Sequence, residues 1–164
     1  MSDTAAFIAA QTVLLHPPLV PEIKLHLATE ITPIWQATEA ELAQMNLPPP
    51  YWAFAWPGGQ ALTRFLLDNP DWVRGKRVLD FAAGSGLSAI GAARAGAARV
   101  EAAEIDAYAS AAIALNARAN NVAVDLATED LIGVDARWEI VLAGDVCYEK
   151  PMADRVIAWF RALA

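Results

Sequence analysis

Asp80 lies in a short apolar run, Val78-Leu79-Asp80-Phe81, which is followed at once by Ala82-Ala83-Gly84-Ser85-Gly86, a turn of small residues. Ala82, Gly84 and Gly86 put almost no side chain where a ligand must approach the main chain closely. A helix expected over residues 87–95 aims its free N–H groups and positive dipole end at the same turn, which suits a carboxylate or phosphate. Glu104 closes the next apolar run, Arg99-Val100-Glu101-Ala102-Ala103-Glu104, about 20 residues beyond the turn, where a carboxylate can accept both hydroxyls of a ribose. Together the two sites predict a nucleotide-like ligand.

Gly84-Ser85-Gly86-Leu87-Ser88-Ala89 also satisfies the loose G-x-G-x-x-G/A pattern of NAD-binding folds, a weak signal by itself. Asp80 argues against that ligand, because a carboxylate beside the crevice repels a pyrophosphate but suits the cationic amino group of an amino-acid-like ligand. Two further polar side chains, Asp145 and Tyr148, follow a strand expected at 139–143, at the edge where open α/β sheets bind ligands. A plainer reading of each stays open: Asp145 as a cap of the next helix or turn, Tyr148 as packing beneath the sheet edge. Upstream, Pro50-Tyr51-Trp52-Ala53-Phe54-Ala55-Trp56-Pro57-Gly58-Gly59-Gln60 is an aromatic cluster ending in glycines. By itself it reads equally as a lid packed over the sheet edge. Asp106 reads as a helix cap, and Cys147 as a small hydrophobe at a strand end with no neighbouring histidine to support a thiolate. Asn116 and Asn120 are polar positions near a helix end, with no catalytic role assigned.

The elements that must hold these residues alternate. Strands are expected at 77–81, 99–104, 122–127 and 139–143, and helices at 87–95, 107–119 and 152–163, a parallel βαβ pattern. The runs 100–103 and 141–143 read as strands buried on both faces. Before them lies a prelude, residues 1–49: a helix over 4–15 stopped by His16-Pro17-Pro18, an extended stretch at 23–27, and a capping-box helix from Thr38 to about Met45. It is expected to pack on the core formed by 50–164. A helix over 60–67 and turns at Asn69-Pro70 and Arg74-Gly75 lead into the first strand.

At 164 residues, 56% hydrophobic and 19% charged, the chain can bury one substantial core. A formal charge of −7 argues against a nucleic-acid partner held through phosphates and permits attraction of a cationic one. The single cysteine excludes an internal disulfide, and His16 and His26 are too few and too distant to build a zinc cluster, which fits a reducing cytoplasm. The N-terminus lacks a basic signal-peptide region, and the alanine-rich tract 81–98 is too interrupted to span a membrane.

The stretch from Asp80 through Glu104 resembles motif I and the following acidic strand of the class I (seven-strand) S-adenosylmethionine-dependent methyltransferases, with Ala82 standing where the family's first glycine stands. With Trp56-Pro57-Gly58-Gly59-Gln60 and the Asp-x-x-Tyr element Asp145-Val146-Cys147-Tyr148, the chain over 50–151 is similar to the electron transfer flavoprotein β-subunit lysine methyltransferase group. The resemblance implies a Rossmann-like, mostly parallel α/β sheet with helices on both faces and S-adenosyl-L-methionine as cofactor. It implies cofactor contacts from Trp56, Gly59, Asp80, Ala82, Gly84, Gly86, Glu104, Ile105 and Asp130, the last toward the adenine amino group. Asp145 and Tyr148 would orient the substrate amine, with no metal. Such sheets carry about seven strands in the open α/β order, so a chain ending after the helix that follows the fourth reads as truncated, and seven strands here would overturn that.

The expected activity is methyl transfer to a lysine of a protein partner, the electron transfer flavoprotein β-subunit being the first candidate, with neither nucleic acid nor membrane involved. Rivals are a ribosomal-protein or small-molecule methyltransferase, a cofactor-binding fragment without turnover, and, third, an NAD-dependent oxidoreductase.

Overall fold

The computed structural model describes residues 3–37, 42, 44, 48–135 and 137–163. The first helix, α1 (Asp3–Gln11), is shorter than the expected 4–15. Thr12 folds its hydroxyl back to donate to the Ile8 carbonyl at 2.6 Å. Val13–Leu15 then forms β1, paired antiparallel with β2 (Leu25–Leu27) in the register Val13↔Leu27. β-branched residues at 12 and 13 weaken the helix, and a distant strand supplies the backbone partners instead. A short α2 (Pro33–Gln36) follows. The capping-box helix lies outside the described residues except for Leu42 and Gln44, both helical, the former buried.

A 3-10 turn at Tyr51–Ala53 leads into α3 (Pro57–Asp68), which starts three residues before the expected position. Pro57 occupies its first turn, where its missing N–H has no intrahelical partner to lose. The alternating part then runs β3 (Arg77–Phe81), α4 (Leu87–Arg94), β4 (Arg99–Ala103), α5 (Ala107–Ala119), β5 (Asp125–Ala127), β6 (Ile140–Leu142) and α6 (Lys150–Leu163). The strand expected from 122 begins only at Asp125, because Asn121 adopts φ 55° and the Val122 N–H donates to the Ala117 carbonyl, closing the end of α5.

Among the described residues the main sheet has four parallel strands in the order β5-β4-β3-β6, with Asp80 opposite Ala102 on one side and Leu142 on the other. This is the number of strands read from the sequence, and not seven. One face, carrying Val78, Val100, Ala102 and Leu142, packs on Leu66 of α3, Ala89 and Ala92 of α4 and Ile113 of α5. The other, carrying Leu79, Phe81 and Ala103, packs on Val156 and Trp159 of α6. The fold is therefore a Rossmann-like α/β sheet with helices on both faces.

Burial on both faces is less complete than expected. Glu101 is half-buried, taking Nε1–H of Trp138 at 2.6 Å and the Arg137 guanidinium at 2.7 Å, and Val141 and Ala143 are half-buried beside the sheet edge. The N-terminal residues cover α4 and α5: Ile8 and Trp52 share a buried cluster with Ala109 and Ala112, and Val20, Ile23 and Leu25 share another with Leu87 and Ile90. No helix among the described residues is long and apolar enough to cross a membrane.

Candidate active site

The carboxyl ends of β3, β4, β5 and β6 all open onto one cleft of about 1000 Å³, the position an open parallel sheet offers a ligand. After β3 the chain turns through Ala82, which takes φ 52°, and Gly84 and Gly86, at 54° and 77°. The Ala83 N–H donates to Ala103 of β4 and the Gly86 N–H to the Ala83 carbonyl, which fixes the turn against the sheet. Gly86 begins α4 and packs against α5, where a β-carbon would sit 3.1 Å from Ile113. It shapes the turn without lining the cleft, unlike Ala82 and Gly84. A left-handed alanine carries about 1 kcal/mol or more of strain that glycine escapes, partly offset by glycine's larger unfolded-state entropy. Ala82→Gly is accordingly expected to stabilise the chain by about 0.5–1 kcal/mol, seen as a thermal midpoint raised by about 1–4 °C; a lowered midpoint would refute this account of the turn.

Two carboxylates floor the cleft. Asp80 is buried, 3% exposed, and accepts the Ala89 N–H at 2.8 Å. Burial pushes its pKa up to about 8, with the Ala89 N–H opposing the shift and the nearby Glu104 adding to it. Glu104 accepts the Gly84 N–H on one oxygen at 3.0 Å and the Asp106 N–H on the other at 3.1 Å. Burial raises its pKa too, against those two N–H groups. Each Glu104 oxygen keeps a lone pair for a diol, and Asp80 offers a buried acceptor to a cation. The donor set therefore fits a nucleoside bearing a cationic amino-acid tail. Asp106 caps α5, its carboxylate accepting the Tyr108 N–H at 2.8 Å.

At the mouth, Asp145 follows β6 in a left-handed conformation, φ 56°, and its two oxygens accept the N–H groups of Gly58 and Gly59 at 3.1 and 2.7 Å. It caps a helix as one sequence reading had it, but the helix is α3, not the one that follows. A β-carbon on Gly58 would lie 2.6–2.8 Å from the Asp145 carboxylate, so the glycine makes the contact possible.

The aromatic segment divides its work. Trp52 is buried in the core, while Trp56 is 44% exposed, lines the cleft and donates its indole N–H to the Tyr51 carbonyl. Ring centroids of Tyr51 lie 6.1 Å from Trp56 and 6.2 Å from Tyr148, forming an aromatic rim of the kind that attracts cations. Tyr148 is exposed rather than packed beneath the sheet, and partial desolvation followed by the neighbouring Tyr51 raises its phenol pKa. Cys147 also lines the cleft and is exposed, not packed as a hydrophobe.

Of the residues expected to contact cofactor or substrate, Trp56, Gly59, Asp80, Ala82, Gly84, Glu104, Ile105, Asp130, Asp145 and Tyr148 line the cleft, and Gly86 alone does not. Asp130 is engaged there: Ile132 N–H and the Arg155 guanidinium, the latter at 2.8 Å, hold its carboxyl below the usual range. Arg155 and Tyr51 are lining residues that sequence reasoning missed. Arg155 sits on an amphipathic helix with no motif to mark it, whereas Tyr51 lay within the aromatic cluster and could have been named.

The sequence profile of the family described as ribosomal protein L11 methyltransferase (PrmA) matches residues 29–149. The electron transfer flavoprotein beta subunit lysine methyltransferase of Xenopus laevis is 44% identical over 95% of this chain and 63% of its own length. The homolog of that enzyme in Caenorhabditis elegans is 32% identical, over 99% of this chain and 72% of its own. The chain thus spans under two thirds of the Xenopus relative it matches. Among solved structures, the ribosomal protein L11 methylase of Lactobacillus delbrueckii subsp. bulgaricus superposes with a TM-score of 0.54 at 24% identity, over 67% of this chain and 54% of that one, a likeness of fold. With the turn after β3, the acidic end of β4 and a profile matched from the prelude to the helix after β6, the chain belongs to the PrmA methyltransferase family.

Proposed function

We propose that this protein transfers a methyl group from S-adenosyl-L-methionine to a lysine side chain of a protein substrate, with the electron transfer flavoprotein β-subunit as the first candidate. The observation that carries the reading is one cleft with Asp80 and Glu104 on its floor and Asp145 with the rings of Tyr51, Trp56 and Tyr148 at its mouth. When bound, the cofactor supplies an electrophilic methyl group. Glu104 holds the ribose hydroxyls, Asp80 the cationic amino group, and Ile105 and Asp130 the adenine end. Asp145 draws the cationic lysine toward the cleft, but an anion favours the protonated amine, so the proton leaves to water as the rim strips the ammonium of solvent. Holding a neutral amine in line with a reacting carbon contributes about 7 kcal/mol or more to such a transfer. Neither Asp145 nor Tyr148 is required to act as a base.

The charge of −7 favours a protein partner over a nucleic acid. A reducing compartment, the cytoplasm, accords with the exposed single cysteine. Residues 1–49 serve as a cover for the catalytic unit of 50–164. A second reading, a ribosomal protein as substrate, draws on the PrmA profile match.

Calorimetric titration with S-adenosylhomocysteine, with NAD in parallel, tests the cofactor. Saturable micromolar binding of the former alone is expected, and binding of NAD instead would overturn the reading. Labelled methyl transfer to the flavoprotein subunit against ribosomal protein L11 then separates the two substrates.

A further inference from the structure

Asn116 is completely buried on α5, and its side chain reaches two parts of the fold that no backbone ladder joins. Its amide Nδ2 donates to the carbonyl of Ser85, in the turn after β3, at 2.8 Å. Its Oδ1 accepts the backbone N–H of His26, in β2, at 2.7 Å. One turn on, Asn120 repeats the arrangement on the hairpin alone, accepting the Lys24 N–H at 3.0 Å and donating to the Lys24 carbonyl at 2.6 Å and the Asn116 carbonyl at 2.8 Å. β1 pairs with one edge of β2, and the two asparagines, four residues apart on one helix face, satisfy the other edge as a strand would. Asn116 differs from Asn120 in having its second end on the turn.

We propose that Asn116 is a positioning residue: it fixes the Ser85 carbonyl, and with it the ligand-facing turn, and couples that turn to the N-terminal hairpin. Helix propensity does not favour asparagine here, and a buried polar side chain persists when each end is bonded. Both ends of Asn116 are used, and one of them bears on a turn whose Ala82 and Gly84 line the cleft. The coupling runs both ways, since whatever tightens the turn tightens the hairpin by the same free energy. This positioning rests on the cofactor reading only for the two measurements below that add S-adenosylhomocysteine.

The test compares Asn116→Asp with Asn120→Asp. Each keeps an acceptor for the hairpin N–H and loses its donor, but only the first sets a carboxylate against the Ser85 carbonyl. In the ligand-free chain, Asn116→Asp is expected to speed amide hydrogen exchange at residues 84–89 by about tenfold or more, while Asn120→Asp leaves these amides within about twofold and acts on the hairpin. Equal effects of the two variants on the turn, or none from Asn116→Asp, would overturn the proposal. Should Asn116→Asp not fold, the unmodified chain decides: S-adenosylhomocysteine should slow exchange at the His26 amide together with the turn, and protection of the turn without His26 would refute the coupling. If the turn itself is not protected, the cofactor reading has failed, and Asn116→Ser, which shortens the bridge and keeps a hydroxyl, replaces it in the ligand-free comparison with Asn120→Asp. Where binding is measured, Asn116→Asp should weaken it about tenfold and Asn120→Asp should not, at matched thermal midpoints.

Discussion

Replacing Asp145 by alanine is expected to lower methyl transfer to a lysine substrate by about 100-fold or more in kcat/KM, with the affinity for S-adenosylhomocysteine changed less than about threefold. The size follows from what the carboxylate holds. Its two oxygens take the Gly58 and Gly59 N–H groups at the start of α3, charge-assisted bonds worth about 1.5–3 kcal/mol each, and in the proposed reaction the same group would meet the incoming ammonium. Loss of the cap frees the start of α3 and the neighbouring Trp56, so the aromatic rim loses its placement along with the charge. Asp145→Asn separates the two contributions: the amide oxygen can still cap one N–H, but it no longer draws a cation. An intermediate loss is expected for Asn. Full activity and unchanged substrate affinity in Asp145→Ala would remove Asp145 from the site.

The second large effect concerns Asp80 and acts through pH. Its carboxyl ionises near the ordinary value of 3.8 in the unfolded chain and at about 8 in the fold, where burial disfavours the charge. Below about pH 4 both states hold the proton and no penalty arises. Between about pH 4 and 8 the unfolded chain loses the proton first, so stability falls as pH rises, by about 1.4 kcal/mol per unit. The loss totals on the order of 5 kcal/mol and levels off above pH 8. Asp80→Asn should flatten that window in a series of chemical denaturations and stabilise the ligand-free chain at pH 7.

A cationic ligand reverses the balance, because its ammonium stabilises the ionised Asp80. Binding at pH 7 should then release close to one proton, measured by titration calorimetry in buffers of different ionisation enthalpy. Asp80→Asn should abolish the release and weaken binding by about 30-fold or more, the usual consequence of deleting one partner of a buried charge pair. Proton-neutral binding by the unmodified chain would show that Asp80 does not meet the cation.

Much of the floor of the cleft was legible in the sequence because it is local. The turn after Asp80 follows from small residues between an apolar strand and a helix, and Glu104 lies at a fixed distance along the next strand. What was not legible is held across the chain. Val13–Leu15 continued an alanine-rich helix until pairing with Leu25–Leu27 made it a strand. Gly58 and Gly59 stand before the helix expected over 60–67, but they belong to its first turn, and its cap, Asp145, lies 87 and 86 residues away. The pattern of small residues groups Gly86 with the ligand contacts, and only the approach of Ile113 gives it another purpose. Asn116 showed a polar residue on a helix and nothing of the two partners that occupy it.

Among the described residues, three that are not glycine adopt a left-handed backbone, and two of them, Ala82 and Asp145, line the cleft. Glycine relaxes the backbone at either one, and so a selection for heat resistance would sample both. The two are not equivalent to such a selection. At position 82 relaxation leaves every hydrogen bond of the turn in place, so robustness there comes without a penalty. At 145 it removes the carboxylate that joins the helix start to the cleft mouth, and the two charge-assisted bonds lost there outweigh the strain relieved, so glycine lowers the melting temperature instead of raising it.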